Sequence, residues 1–177
     1  MSIEINNHDV LLICFYGPES TGKSTMAKKL AAHFKTEWVP EVAREMLKSN
    51  DFSLEDIRKI GFAQNQRIKQ KLPVANRILI CDTDIITTRI YSEYYLGSAP
   101  QELDTLEKEF TFDRYFLFDI DVPWVADGMR DLSEKRLEML TNFRDALNTR
   151  NIPYIIVTGN YEEREKFLIR EIEKMIL

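Results

Sequence analysis

The segment 17–25 has the residue types and the spacing of a phosphate-binding loop. It reads Gly-Pro-Glu-Ser-Thr-Gly-Lys-Ser-Thr and fits the pattern G-x-x-x-x-G-K-[ST], directly after an apolar run that ends at Tyr16. The glycines allow consecutive backbone N–H groups to point inward, and the helix that starts near Lys23 adds the positive end of its dipole. The segment therefore predicts a site for the triphosphate of a nucleotide.

The side chains of this loop have separate predicted roles. Lys23 is expected to reach the β- and γ-phosphates as a mobile positive charge, and is therefore also a catalytic candidate. The hydroxyl of Ser24 is expected to complete a Mg²⁺ site. The residues predicted to hold the nucleotide are Gly17, Glu19, Ser20, Thr21, Gly22, Lys23, Ser24 and Thr25.

A second polar position follows the apolar run 77–81, which ends in Asp82-Thr83-Asp84. Asp82 has the position of a Walker-B carboxylate, which holds Mg²⁺ directly or through water close to Ser24. The alternative for Asp82 is to cap the helix that follows, since aspartate is favoured there. For Asp84 two roles stay open: it either caps that helix or accepts hydrogen bonds from a sugar diol.

Glu41 follows the short predicted strand 36–40 and is the favoured general base. Phosphorylation of a hydroxyl requires an acceptor near the proton of the attacking oxygen, and both Glu41 and Asp82 qualify by position. Glu41 is favoured because it follows a different strand from the loop, whereas Asp82 would be occupied by Mg²⁺. Arg44 enters the same region as a substrate-binding candidate. The alternative is that Glu41 and Arg44 form a structural salt bridge.

The segment 127–136, which begins within the irregular stretch 121–130, supplies cations and resembles a lid. Arg130 is the catalytic candidate there, because a lid arginine that closes over the transferred phosphoryl group stabilises its charge and excludes water. Lys135 and Arg136 fit the same role or, equally well, the solvated face of a helix.

Two tryptophans are candidate partners for a planar base. Trp38 and Trp124 flank Glu41 and the lid, where a base would stack on the indole, and a cationic ring would gain cation–π attraction. Tyr91, Tyr94 and Tyr95 are near the same position, although most of the aromatic side chains are expected in the core.

Apolar runs alternate with amphipathic helices along the chain. The predicted strands are 10–16, 36–40, 77–81, 115–120 and 152–157, and the predicted helices begin near 23, 53, 85, 100, 133 and 161. Strands that are apolar throughout indicate an α/β fold, with a parallel sheet covered by helices on both faces.

Several details of these helices are also predicted. Ser53 and Asp56 resemble a capping box, and Gly97 is placed to end the helix that starts at 85. A helix is expected over 100–110. Ser133 is expected to cap a helix whose Leu137, Leu140, Phe143 and Leu147 face inward.

Ligands of such sheets bind at the carboxyl ends of the strands. The phosphate loop, Glu41, Asp82, Asp84 and the segment after Ile120 each follow a strand, so we expect them to meet at one edge of the sheet. Their convergence favours an enzyme over a passive binder. A nucleotide-dependent switch is a weaker alternative, since Glu41 and Asp84 would be superfluous in it.

The composition narrows the classes of partner. The chain has 177 residues with 44% hydrophobic residues, which favours one domain spanning 1–177. Its net charge of −5 offers no global basic surface for a nucleic acid. No run approaches the roughly 18 apolar residues of a membrane span, and residues 1–9 do not resemble a signal peptide. We therefore expect a cytoplasmic protein, with Cys14 and Cys81 as buried reduced thiols; its oligomeric state stays open.

Four motifs together resemble the ribosylnicotinamide kinase domains of the bacterial NadR family. They are the phosphate loop, the segment Glu-Val-Ala-Arg-Glu from Glu41, Asp82-Thr83-Asp84 with Thr87-Thr88, and the segment Pro-Trp-Val-Ala-Asp-Gly-Met-Arg over 123–130. They cover nearly the whole chain in the same order, and the last is much more specific than a phosphate loop alone.

The resemblance implies a P-loop NTPase fold like that of nucleoside kinases, with a lid. It also implies ATP and Mg²⁺ as co-substrates and the phosphorylation of nicotinamide riboside, a small-molecule nucleoside, at its 5′-hydroxyl. A kinase for another nucleoside or nucleotide is the alternative within enzymes. The strand-end acids and the segment that contains Trp124 and Asp127 would serve the riboside and the lid. NadR proteins carry this domain behind a nucleotidyltransferase and often a DNA-binding domain, and we carry neither of those functions over.

Overall fold

The computed structural model describes residues 10–126 and 131–177. Its strands are β1 (Leu11–Tyr16), β2 (Trp38–Val39), β3 (Ile78–Asp82), β4 (Arg114–Phe118) and β5 (Tyr154–Val157). Its α-helices are α1 (Lys23–Phe34), α2 (Val42–Met46), α3 (Leu54–Lys71), α4 (Ile85–Leu96), α5 (Glu102–Leu106), α6 (Arg136–Thr149) and α7 (Tyr161–Ile176). Short 3₁₀ turns cover Leu72–Val74 and Ser133–Lys135.

The strands form one parallel sheet with the order β2-β3-β1-β4-β5. In this register the last residues of β1 and β3 are neighbours, because Phe15 pairs with Asp82. The loop after β1 and the carboxylate that ends β3 therefore lie side by side at one edge of the sheet. The predicted α/β fold is confirmed, and the phosphate loop and Asp82 lie at the same edge of the sheet as expected.

Alternate residues of the strands serve opposite layers of helices, as expected for a sheet that is buried on both faces. Ile13 and Phe15 of β1 pack with α1 and α7 in one cluster, while Cys14 and Tyr16 pack with α4 and α6 in another. A third cluster joins Leu12, Val39 and Leu79 to Ile68 of α3. The predicted burial of Cys14 and Cys81 is confirmed.

The local signals at two helix ends are confirmed. The backbone N–H of Asp56 donates to the hydroxyl of Ser53 over 3.2 Å, and the Asp56 carboxylate accepts from the N–H of Ser53 over 2.8 Å, which completes a capping box. Gly97 ends α4 at a φ of 72°, where glycine avoids the steric cost of a Cβ atom.

Two helix predictions are wrong in extent. The helix expected over 100–110 is only α5, because Leu103 and Leu106 reach the core and the chain then turns toward β4. Ser133 lies in a 3₁₀ turn and α6 begins at Arg136, so Ser133 is not the cap. Leu137, in the first turn of α6, is 70% exposed, whereas Leu140, Phe143 and Leu147 are buried as expected.

Among residues 10–126 and 131–177, every helix is either too short or too polar to cross a lipid bilayer.

Candidate active site

The phosphate loop depends on glycine at both of its turns. Gly17 has a φ of 133°, and a Cβ atom there would lie 2.8 Å from the carbonyl oxygen of Phe118. Gly22 has a φ of 87°, and a Cβ atom there would lie 2.9 Å from the ring of Tyr161. Gly22 also precedes α1 without a capping side chain, so the first N–H groups of α1 face the loop and can receive an anion.

Lys23 lies folded over the loop. Its ammonium donates to the carbonyl oxygen of Pro18 over 2.6 Å and to the hydroxyl of Thr21 over 3.3 Å. The side chain is buried but lines the cavity described below. A phosphate in the loop would offer stronger, charged acceptors to the same ammonium.

Asp82 and Ser24 form the second part of the site. The hydroxyl of Ser24 donates to Oδ2 of Asp82. The other oxygen, Oδ1, is buried without a hydrogen-bond donor from the described residues. Burial raises the pKa of Asp82, and the nearby carboxylate of Glu41 raises it further, while Lys23 and the Ser24 hydroxyl act in the opposite direction. A cation bound at this position would offset the unfavourable burial of the Asp82 carboxylate charge.

Glu41 and Arg44 form an ion pair in the lining of the cavity described below. Nε of Arg44 lies 3.2 Å from Oε2 of Glu41, so the salt bridge left open by the sequence is present. Both side chains also line the cavity, which means that the ion pair does not remove Glu41 from the site.

A cavity of about 310 Å³ extends from the phosphate loop to helices α2, α3 and α4. This volume is in the range of small-molecule sites, about 300–1,000 Å³. Three aromatic rings line its far end: Tyr95 lies 5.5 Å from Phe52 and 6.5 Å from Tyr91 between ring centroids. Ile57, Ile60 and Gln64 of α3 lie beside them.

Sequence reasoning placed Tyr91 and Tyr95 near the site but assigned the base to the tryptophans, so it did not predict this aromatic wall. Thr87, Thr88, Tyr91 and Tyr95 lie at helical spacing directly after the strand-end carboxylates, and all four line the cavity. That spacing was the available signal. Phe52 and Gln64 gave none, because only the packing of α2, α3 and α4 brings them to the same place.

Trp38 differs from its predicted substrate-binding role, and Asp84 takes the capping role, one of the two that the sequence left open. Trp38 packs against the core cluster under α1 and α7, because β2 pairs it with Ile80 on that face. Asp84 is the N-cap of α4: Oδ1 accepts from the N–H of Thr87 over 2.9 Å, and Oδ2 accepts from Tyr115 over 2.8 Å. Asp84 is buried away from the cavity, so the cap is its role in this structure.

The segment around Trp124 lies against the phosphate loop instead of lining the cavity with its ring. The Trp124 indole N–H donates to Glu19 over 3.4 Å, and the N–H of Val125 donates to the hydroxyl of Ser20 over 2.8 Å. On the other side of the lid segment, the N–H of Leu132 donates to Glu19 over 3.0 Å. Asp127 and Arg130 lie outside the described residues.

Arg136 supports the same region from α6. Its guanidinium donates to the carbonyl oxygen of Val122 over 2.8 Å and to that of Ser20 over 3.4 Å. Both flanks of the lid segment are thus bonded to Glu19 and Ser20. These loop residues, which were predicted to hold the nucleotide, also anchor the lid.

A glycine loop that joins the central strand to α1, with a carboxylate at the end of the neighbouring strand, defines the class of P-loop nucleotide-binding proteins. Within that class, a family model described as AAA domain matches residues 12–164. The chain belongs to this family.

Similarity to known proteins covers nearly the whole chain. The trifunctional NAD biosynthesis/regulator protein NadR of Escherichia coli (strain K12) is 32% identical over 170 residues, which are 91% of this chain and 42% of that protein. The chain therefore spans less than half the length of this curated relative. The resemblance to NadR predicted from the motifs is confirmed.

Solved structures show the same fold. A crystal structure of NadR protein in complex with NR has a TM-score of 0.79 at 22% identity, and the match covers 94% of this chain and 52% of that one. A deoxyadenosine kinase from M. mycoides has a TM-score of 0.67 at 14% identity, with 93% and 100% covered. The fold is thus that of P-loop nucleoside kinases, as predicted.

Proposed function

We propose that this chain is a kinase that transfers the γ-phosphoryl group of ATP to the 5′-hydroxyl of nicotinamide riboside in the cytoplasm. The product would be nicotinamide mononucleotide, a step of NAD salvage. The observation that carries the proposal is one cavity whose lining includes the phosphate loop, Glu41 and the rings of Phe52, Tyr91 and Tyr95. The similarity to NadR, one structure of which is a complex with NR, supports the choice of nucleoside.

The residues around Asp82 fit a Mg²⁺ ion. The Ser24 hydroxyl and the Asp82 carboxylate are oxygen ligands of the kind that Mg²⁺ takes together with substrate phosphates and water. The unsatisfied Oδ1 of Asp82 is the observation that favours a cation there. When bound, Mg²⁺ would offset the charge that develops on the phosphate oxygens during transfer.

Glu41 is the proposed general base. It would accept the proton of the 5′-hydroxyl as that oxygen attacks the γ-phosphorus, while Lys23 stabilises the phosphate oxygens and ADP departs. The ion pair with Arg44 would orient the Glu41 carboxylate for this role. Asp82 is the poorer base, because Ser24 and the metal would occupy its oxygens.

The rings of Phe52, Tyr91 and Tyr95 would receive the nicotinamide. The pyridinium ring of nicotinamide riboside carries a positive charge, and aromatic faces attract such a cation electrostatically. Tyr91 and Tyr95 are about one turn apart on the same face of α4, and their stacked rings offer this surface. The sequence had assigned this function to the tryptophans.

Arg130 and Asp127 are proposed to act from the lid segment, Arg130 on the transferred phosphoryl group and Asp127 on the riboside. Glu19 and Ser20 of the phosphate loop accept hydrogen bonds from residues on both flanks of the segment. These bonds support a lid whose position responds to phosphate in the loop. Excluding water in this way would keep the kinase from hydrolysing ATP.

The test is to incubate the purified chain with ATP, Mg²⁺ and each of several nucleosides: nicotinamide riboside, nicotinic acid riboside, thymidine and deoxyadenosine. Mass spectrometry of the products is expected to show nicotinamide mononucleotide at the highest kcat/KM. Turnover of another nucleoside with none of nicotinamide riboside would reject this substrate. Slow ATP hydrolysis that no nucleoside accelerates would favour the nucleotide switch.

A further inference from the structure

The side-chain amide of Gln64 in α3 has its oxygen bonded, while its nitrogen has no acceptor among the described residues. The residue is only 2% exposed and lines the cavity. Its Oε1 accepts from the backbone N–H of Val42 over 3.1 Å. Its Nε2 is buried without a hydrogen-bond acceptor from residues 10–126 or 131–177.

The bond from Val42 fixes which way the amide faces. A backbone N–H can only donate, so the group of Gln64 that meets it must be the carbonyl oxygen. The NH₂ group then lies in the same amide plane and points to the other side of the Cγ–Cδ bond. A buried donor without an acceptor loses its hydration and gains nothing in return, and such groups are rare in folded proteins.

The next residue on α3 makes a useful comparison. Asn65 is also 2% exposed, but its Nδ2 donates to the carbonyl oxygen of Leu106 over 2.8 Å and to Glu109 over 2.9 Å. The Nδ2 group of Asn65, away from the cavity, is therefore bonded to protein acceptors. The Nε2 group of Gln64, which is on the cavity, has no acceptor among the described residues. The difference points to an acceptor on the ligand.

We propose that Gln64 is a specificity residue whose Nε2 donates a hydrogen bond to a carbonyl oxygen on the ring of the acceptor nucleoside. This inference rests on the proposed function, and with nicotinamide riboside the acceptor is the carboxamide oxygen. Ile57, Ile60 and the rings of Phe52, Tyr91 and Tyr95 line the same cavity as Gln64 and supply apolar surface for the ring.

The same surroundings select against a carboxylate at that position. Nicotinic acid riboside would bring a full negative charge into an apolar wall, which is costly without a cation. Of the cations that line the cavity, Lys23 is bonded to the phosphate loop and Arg44 is paired with Glu41. The carboxamide is therefore the preferred substituent.

The Gln64 oxygen also accepts the backbone N–H of Val42 and so holds the turn after Glu41. A test must therefore separate the hydrogen bond that Nε2 donates from this structural role of Oε1. Gln64→Glu keeps an acceptor for the N–H of Val42 and removes the donor. Asn65→Asp is the matched control, because it makes the same chemical change on the neighbouring buried amide that does not line the cavity. The matched substrates are nicotinamide riboside and the pyridinium riboside that lacks the carboxamide.

For Gln64→Glu, kcat/KM for nicotinamide riboside is expected to fall about 10-fold or more, mainly through KM, while that for the pyridinium riboside changes less than about 3-fold. Asn65→Asp is expected to change both by the same factor. Equal losses on the two substrates in Gln64→Glu, or no loss on nicotinamide riboside, would overturn the inference.

The wild-type chain supplies a second measurement that does not depend on how the variants fold. Its kcat/KM is expected to be at least about 10-fold higher for nicotinamide riboside than for either the pyridinium riboside or nicotinic acid riboside. Equal values for the three would overturn the role of Gln64 while leaving the proposed kinase activity intact. If another nucleoside is the substrate, the proposed function fails, and the same comparison with that nucleoside and its analogue without the ring carbonyl decides the role of Gln64.

Discussion

The guanidinium of Arg164 donates a hydrogen bond to the carbonyl oxygen of Thr21 over 2.8 Å, which joins α7 to the back of the phosphate loop. Arg164 is 0% exposed, and its other donors reach the carbonyl oxygens of Gly159 and Asp119 and the carboxylate of Asp121. A single buried cation thus holds the loop after β1 against the segments that follow β4 and β5.

Replacing this cation is expected to destabilise the fold. Arg164→Leu would leave several buried acceptors without a donor and is expected to lower the free energy of unfolding by about 3 kcal/mol or more, measured by urea denaturation. Arg170→Leu is the control on the same helix, because Arg170 is exposed and its ion pair with Glu171 is at the surface. Similar stability of the two variants would contradict the role given to Arg164.

Asp84 is expected to matter for stability and not for substrate affinity. Asp84→Ala would remove the cap of α4 and leave the Tyr115 hydroxyl without its acceptor, at a cost of about 2–3 kcal/mol. Asp84→Asn retains an acceptor for the N–H of Thr87 and is expected to recover part of this loss. A raised KM for the nucleoside in a stably folded Asp84→Asn variant would instead revive the sugar-binding role.

Glu41→Gln is expected to lower kcat by roughly 100-fold or more while the affinity for ATP changes little. The reason is that the amide cannot accept the proton of the attacking hydroxyl, although it still fits the same space. Single-turnover kinetics and nucleotide titrations measure the two quantities separately. If only the melting temperature changes, the ion pair with Arg44 is the whole role of Glu41.

Both cysteine thiols are expected to be unreactive in the folded chain. Burial is the main cause that raises the pKa of Cys14 and Cys81, so almost no thiolate forms at pH 8. A thiol reagent such as Ellman's reagent is expected to titrate both thiols in urea and neither, within minutes, under native conditions. Rapid native labelling of either cysteine would show that the strands β1 and β3 are more accessible than the structure indicates.

The features that the sequence predicted are local ones. The phosphate loop, the cap at Gly97 and the burial of Phe143 follow from residue types at short spacing, which act wherever the chain folds. The carboxyl-end rule then placed Glu41 and Asp82 together without any knowledge of strand order.

The features that the sequence did not predict depend on packing. Trp38 was assigned to the substrate because it precedes Glu41 in sequence, but the pairing of β2 with β3 decides which face its ring occupies. Leu137 has the right periodicity but lies in the first turn of α6, beyond the core. Gln64 and Phe52 join the cavity only because α3 packs beside α4, and no short-range pattern reports that contact.

The most direct measurement compares ADP and nicotinamide mononucleotide formed by the wild-type chain, with Lys23→Ala and the exposed Lys29→Ala as matched variants. The central claim is that the phosphate loop and the nucleoside share one cavity, in which the γ-phosphoryl group of ATP is transferred to the nucleoside. It predicts equimolar products in the wild type and in Lys29→Ala, and nearly complete loss of both in a folded Lys23→Ala. Near-native turnover by Lys23→Ala, or ADP formed at the same rate without the nucleoside, would contradict it.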